Sequence, residues 1–138
     1  MSIKFNVVQK GQPGVAGGGT KKYYASAQSS GELTLAGLTK RIEKMSTVSG
    51  ADIRAVVYAM VDVMKDALAD GQIVRLGELG SLRVSISSEG KETEKAVNAS
   101  SILNSRVIFT PGKDIREMLA SLSYEKTSAT PGTEQPVG

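Results

Sequence analysis

The sequence predicts a small α+β fold, and three patterns lead to that class. Residues 81–86 alternate apolar and polar side chains, which is the period of a strand with one buried face. Residues 34–45 and 49–70 carry apolar side chains at helical spacing, and another helix is predicted from residue 111. A chain of 138 residues with 40% hydrophobic content is long enough for one such domain with a small core.

Neither cysteine nor histidine occurs in the chain. A disulfide framework, a thiolate metal site and the usual catalytic triads are therefore excluded. We predict a protein that is not an enzyme and that uses no cofactor, metal ion or small-molecule substrate. The N-terminus lacks the apolar run of a signal peptide, and no stretch reaches the ~20 apolar residues of a membrane span. The expected location is the cytoplasm, with no membrane partner.

The first 32 residues are predicted to form an extension with two short strands, at 3–9 and 22–27, around a glycine-rich loop. A glycine-rich loop after a strand can cradle a phosphate. Here the loop ends in Thr20 and Lys21, the reverse of the order in a P-loop, and a strand follows where a helix should open. The pattern therefore favours a plain loop.

The second helix is the most strongly specified element. Ser49 is placed to cap it, Gly71 to end it, and residues 55–61 are apolar on every side. A helix with apolar residues all round must be covered all round, which favours a homodimer in so small a chain. The alternative is that the N-terminal strands cover this helix within one chain.

The strand region is predicted to turn between Gly77 and Gly80 and then to leave the body of the protein over residues 87–105, which are mostly small or charged. Thr110 is predicted to cap the third helix, with Pro111 at the first helical position. A final edge strand is predicted at 123–126, paired with residues 22–27. The polar sequence from residue 127 onwards predicts a disordered tail.

The chain has a formal net charge of +3, and its excess of basic residues is concentrated in the N-terminal segment and the strand region. Arg75, Arg83 and Arg106 alternate with apolar neighbours and are expected on the solvent face of the sheet. Lys113 lies in the first turn of the third helix, beside Gly112, where the helix dipole favours an anion. These residues could track DNA phosphates or could be ordinary solubilising charges, and the pattern alone leaves both open.

Two sequence motifs point to a known family. The segments VRLGELGSLRV, at residues 74–84, and VIFTPGK, at 107–113, together resemble the bacterial HU and integration host factor family of histone-like DNA-binding proteins. The resemblance covers residues 33–122. The added N-terminal segment, with its Lys-Lys-Tyr-Tyr run, is similar to the longer HU-like variants of Bacteroidetes-type bacteria.

The resemblance implies an intertwined homodimer with a helical base, a β-sheet saddle and two β-arms that reach round the DNA minor groove. It implies backbone-phosphate contacts at Gly112 and Lys113, and it puts Arg83 and Arg106 near the bases of the arms. Little sequence specificity is expected, because such proteins depend on DNA shape and deformability.

The arm counterpart departs from the family pattern. Residues 88–96 hold two lysines against three glutamates, and no proline occurs between Leu79 and Thr110 to supply the family's wedge between base steps. Because non-specific affinity comes from neutralised phosphates, an acidic arm should weaken binding or prevent wrapping of the minor groove.

We therefore predict a nucleoid-associated protein that binds double-stranded DNA and consists of an extension (1–32), an HU-like domain (33–126) and a disordered tail (127–138). The alternative is an HU-fold protein-interaction module with weak or no DNA binding. The candidate DNA-binding residues are Lys113, Arg106, Arg83, Arg75, Lys91, Lys95, Gly112, Lys21 and Lys22.

Overall fold

A computed structural model describes residues 1–127, which fold as an α+β protein with three helices and two small sheets. The described chain divides into two compact units. The N-terminal unit consists of residues 1–33 and 121–127, and the central unit of residues 34–120. The predicted domain boundaries stay a prediction, and the predicted tail from 128 onwards lies outside the described residues.

The N-terminal unit is a three-stranded sheet in the order β2-β1-β6. Its strands are β1, Ile3–Lys10, β2, Lys22–Gln28, and β6, Tyr124–Lys126. Strands β1 and β2 pair antiparallel, and the loop between them contains a short 3-10 turn, Ala16–Gly18, and leads into β2 where a P-loop requires an α-helix.

Strand β6 pairs parallel with β1, so the predicted pairing of residues 123–126 with β2 is wrong. The parallel ladder is continued by Thr127, whose amide donates to the Phe5 carbonyl at 2.8 Å. An alternating strand pattern identifies a strand but not the edge of the sheet that it joins.

Two helices open the central unit where the sequence predicts them. Helix α1 is Leu35–Met45 and helix α2 is Gly50–Ala69. The Ser49 hydroxyl accepts the Asp52 amide at 3.2 Å, which confirms the predicted cap of α2, and the Thr34 hydroxyl accepts the Gly37 amide in the same way. None of the helices within residues 1–127 combines the length and hydropathy needed to cross a membrane.

The sheet of the central unit has the antiparallel order β3-β4-β5. Its strands are β3, Val74–Arg75, β4, Gly80–Ser88, and β5, Ile102–Pro111. The predicted turn between β3 and β4 is a single 3-10 turn. Residues 89–101 connect β4 to β5 through two further 3-10 turns, the second of which is capped by Asn98.

Helix α3 is Lys113–Ala120, so the predicted helix start, with Thr110 as cap and Pro111 at the first helical position, is wrong. Pro111 is the last residue of β5, opposite Gly80. The first helical hydrogen bond runs from the Arg116 amide to the Gly112 carbonyl. A proline lacks an amide donor but is tolerated at a strand end, and there the sheet register outweighs the local preference for a helix start.

Two glycines let the β3–β4 turn pack against the start of α3. Gly80 has φ +141°, and a Cβ there would strike the Thr110 carbonyl and the Phe109 ring. A Cβ on Gly112 would strike the backbone of Glu78. The Gly112 amide donates to the Leu79 carbonyl at 2.9 Å and closes this contact.

Apolar surface stays open in the central unit. Ile53 is the one large apolar side chain in the described chain that is buried. The sheet face that bears Leu82 and Phe109 leaves Val84, Val107 and Ile86 at least 40% exposed. Beside it, an apolar groove of about 440 Å³ is lined by residues of α2 and β3, among them Met60 and Val74.

Candidate nucleic-acid interface

Three arginines share one face of the central sheet. Arg75 is opposite Ser81, Arg83 is opposite Ile108, and Arg106 is opposite Ser85. Because residues 81, 83 and 85 alternate along β4, these pairs project to the same side. Each arginine is therefore the diagonal neighbour of the next, at roughly 7–8 Å between positions. The register thus arranges the three, here called the arginine row, across three adjacent strands.

A shallow recess of about 340 Å³ lies at the β3 end of the row. The sheet contributes Arg75, Ser81 and Thr110, and Thr110 is the cross-strand partner of Ser81. Arg116 enters from the second turn of α3. The recess therefore combines two guanidinium groups with hydroxyl donors, which is a set suited to a phosphate.

The basic side chains of this face are not neutralised by neighbours. In the part of the chain that the structure describes, Lys91 and Glu89 form the one ion pair, and no side chain of the arginine row, nor that of Arg116 or Lys113, makes a hydrogen bond. A positive group without an internal partner can form its charge-assisted hydrogen bonds with an external anion.

Gly112 and Lys113 differ in the hydrogen-bond donors and the charge that they can offer to an anion. The amide of Gly112 is engaged by the Leu79 carbonyl, so this glycine shapes the recess and does not supply a free donor. Lys113 is the first residue of α3 and is exposed, and the first-turn amides of a helix have no acceptor within the helix. Its ammonium therefore adds a full charge to the positive end of the helix.

The lysines of the 89–101 loop lie apart from the arginine row in the fold. Lys91 pairs with Glu89 at 2.8 Å, and Lys95 lies in the first 3-10 turn of the loop, directly after Glu94. The loop is held closed by a hydrogen bond from the Glu89 amide to the Ser101 carbonyl and by Asn98, whose side chain accepts the Ser100 amide. The three glutamates of the loop outnumber its two lysines.

The last two candidates, Lys21 and Lys22, belong to the N-terminal unit. Lys22 opens β2 and is the direct cross-strand partner of Lys10 at the end of β1. Lys21 precedes it, and all three side chains are exposed. These lysines form a basic cluster of their own.

Sequence reasoning missed Arg116 and Lys10. Arg116 follows Lys113 by three residues, a spacing that places two side chains on one helix face. That spacing was the available signal, but the approach of Arg116 to Arg75 depends on the packing of Gly112 against the β3–β4 turn. Lys10 could have been recognised as a neighbour of Lys22 only from the register of β1 with β2.

Comparison with known proteins agrees with the architecture. No curated protein matches the chain. Among solved structures, the chain is similar to the crystal structure of a protein from Bacteroides vulgatus that is provisionally named a bacterial DNA-binding protein, with a TM-score of 0.65 and 16% sequence identity. The match covers 98% of this chain and 52% of that one, so the chain spans about half the length of its structural relative.

The family comparison extends beyond the two motifs that suggested the resemblance. A family model described as an HU domain fused to a wHTH, Ig or glycine-rich motif matches residues 1–126, a span that includes the N-terminal strands as well as the expected residues 33–122. The HU resemblance is thereby confirmed, and the chain belongs to this HU-HIG family.

Proposed function

We propose that this protein binds double-stranded DNA through the phosphate backbone, with little sequence specificity, as a nucleoid-associated protein of the cytoplasm. The observation that carries the proposal is the arginine row, which continues into the recess at Arg116. Membership of the HU-HIG family and the name of the structural relative support the same function.

The chemistry of the face favours phosphates over bases. Guanidinium groups form bidentate hydrogen bonds with phosphate oxygens, and the hydroxyls of Ser81, Ser85 and Thr110 lie on the same side of the sheet. A flat sheet face presents these donors over a broad area, whereas base readout requires an element that enters a groove. Contacts of this kind position the protein without reading sequence.

The functional unit is proposed to be a homodimer. The open sheet face and the apolar groove along α2 form one apolar surface, since Val74 of the groove is in register with Leu82 of that face. Exposed apolar patches of this extent mark interaction sites. A second copy would cover the apolar face and leave the opposite arginine face free.

The loop 89–101 is expected to contribute little to DNA bending. It holds Glu89, Glu92 and Glu94 against two lysines and contains no proline. Its 3-10 turns and the Ser101 contact make it compact at the end of the β4–β5 ribbon. Any bend would then have to come from the sheet face and not from an inserted wedge.

One observation favours the alternative of a protein-interaction module. The central unit carries twelve basic against eleven acidic side chains, so its net charge is close to zero. Non-specific DNA affinity needs locally concentrated positive charge, which here depends on the arginine row together with Arg116 and Lys113. DNA binding by the central unit therefore depends on these side chains.

Fluorescence anisotropy of a labelled ~30-bp duplex, titrated at several salt concentrations, tests the proposal. Arg83→Gln combined with Arg106→Gln should weaken binding and flatten the slope of log K against log[salt] by about 1 for each phosphate that is no longer neutralised. The matched control is Arg41→Gln with Arg54→Gln, two exposed arginines on α1 and α2.

A wild-type protein that does not bind at low salt would refute the DNA proposal and favour the interaction module. Equal reductions in affinity in the two double variants would show that net charge matters and that the arginine row does not.

A further inference from the structure

The β1–β2 hairpin extends beyond the strand that flanks it. Among residues 1–127, β6 pairs with Ile3–Phe5 of β1 and Thr127 adds one hydrogen bond to Phe5, whereas β1 and β2 stay paired as far as Lys10 and Lys22. From Asn6 onwards, the described part of the N-terminal sheet is therefore a ribbon of two strands. At about 3.4 Å per residue, this ribbon continues for roughly 14 Å before the glycine-rich loop begins.

The end of the ribbon concentrates positive charge. Lys10 and Lys22 are direct cross-strand partners on one face, and Lys21 precedes them in the loop; we call these three the tip lysines. Like charges directly opposite each other destabilise a sheet. No aspartate or glutamate occurs in residues 1–31, and Glu125 is paired with Lys4 at the far end of β1. None of the tip lysines forms an ion pair among the described residues, so the N-terminal unit does not compensate the repulsion at its tip.

The loop that closes the ribbon is small and presents bare backbone. It is closed by hydrogen bonds from the Gln12 amide to the Gly18 carbonyl and from the Gly18 amide to the Val15 carbonyl. A Cβ added at Gly14 or Gly17 would meet no atom within 4 Å. The loop backbone at these two glycines is therefore open to a bulky polyanion, and the tip lysines beside the loop are themselves exposed.

We propose that the tip of the β1–β2 ribbon is a second contact surface for duplex DNA, which holds the phosphate backbone independently of the arginine row. This inference rests on the proposed DNA binding. Lysine is a compact point charge, so the tip lysines contact phosphates and do not discriminate between bases. A two-stranded ribbon is also narrow enough for the ~12 Å major groove, which brings the tip close to the phosphates on its walls.

A pair of double variants of the full chain tests the inference with the same labelled ~30-bp duplex. Lys10→Gln with Lys22→Gln removes two tip charges. Lys4→Gln with Lys126→Gln removes the same charge from the other end of the same sheet. The tip variant should flatten the salt slope by up to about 2 and bind up to about 60-fold more weakly at 0.1 M salt, whereas the control should change little.

Thermal unfolding separates a binding role from a structural one. Removing the like-charge pair should leave the melting temperature unchanged or raise it, so affinity and stability are expected to move in opposite directions. Affinity that falls together with the melting temperature would overturn the inference. Equal reductions in affinity in the two double variants, or no reduction in either, would also overturn it.

The arginine-row variant distinguishes this inference from the proposed function. If Arg83→Gln with Arg106→Gln weakens binding and the tip variant does not, the tip proposal fails and the proposed function stands. If only the tip variant weakens binding, the second surface stands and the arginine row is not the main DNA contact.

Discussion

The two units carry their positive charge in different ways. In the N-terminal unit, five lysines face only two acids among the described residues, and three of the lysines lie at one end of the hairpin. In the central unit the charges nearly cancel, and the basic character of one face depends on strand register. A surface for a polyanion can therefore arise from excess charge or from the placement of a few guanidinium groups.

The units also differ in what holds them together. The N-terminal unit depends on backbone pairing in a single sheet, whereas the central unit depends on close packing at two glycines and leaves a broad apolar surface open. Substitutions should therefore affect the two units by different mechanisms and to different extents.

The largest effect is expected from Gly80→Ala. The new methyl group would meet the Thr110 carbonyl and the Phe109 ring at a backbone φ that only glycine adopts freely, so the free energy of unfolding should fall by about 3 kcal/mol or more. Urea titration followed by circular dichroism measures the change. Gly90→Ala is the control, since a Cβ there would meet no atom within 4 Å, and it should change stability by less than ~0.5 kcal/mol.

A second prediction concerns the open apolar face. In the proposed dimer, Val107→Asp should raise the dissociation constant by about 100-fold or more, because association would bury an unpaired carboxylate. Light scattering coupled to size-exclusion chromatography, over a range of protein concentrations, measures it. Ser85→Asp, on the opposite side of the sheet beside Arg106, should leave the dimer intact. A Val107→Asp protein that stays dimeric would show that this face is not the interface.

The smallest effect is expected from a substitution in the 89–101 loop. Lys91→Ala removes a partly exposed ion pair with Glu89, which should be worth less than ~1 kcal/mol, so urea titration should show little change. DNA affinity should also change little, because the charge is already compensated. A large fall in affinity would instead make this loop a third DNA contact, in addition to the arginine row and the tip lysines.

The sequence predicts helices and strands well where one local pattern determines each element. The apolar stripe of α1, the Ser49 cap and the alternation in β4 each need only a few neighbouring residues, and each is present in the structure. The positive φ at Gly77 and Gly80 likewise follows from a short glycine-containing segment.

Features that depend on distant segments could not be predicted. Pro111 is a favourable helix start by local preference, but its pairing with Gly80 extends β5. The alternation of Arg75, Arg83 and Arg106 predicts a shared face, yet their diagonal order requires the register of three strands. The contribution of Arg116 to the recess requires the contact between Gly112 and the β3–β4 turn.

The parallel pairing of β1 with β6 has a consequence for synthesis of the chain. Its partners, such as Ile3 and Tyr124, are about 120 residues apart in sequence. At a translation rate of roughly 5–20 residues per second, β6 leaves the ribosome on the order of ten seconds after β1. During that interval β6 is not yet available, so the edge of β1 that it later covers can pair with other strands. Completion of the N-terminal sheet is therefore a late step in folding, after the central unit has been made.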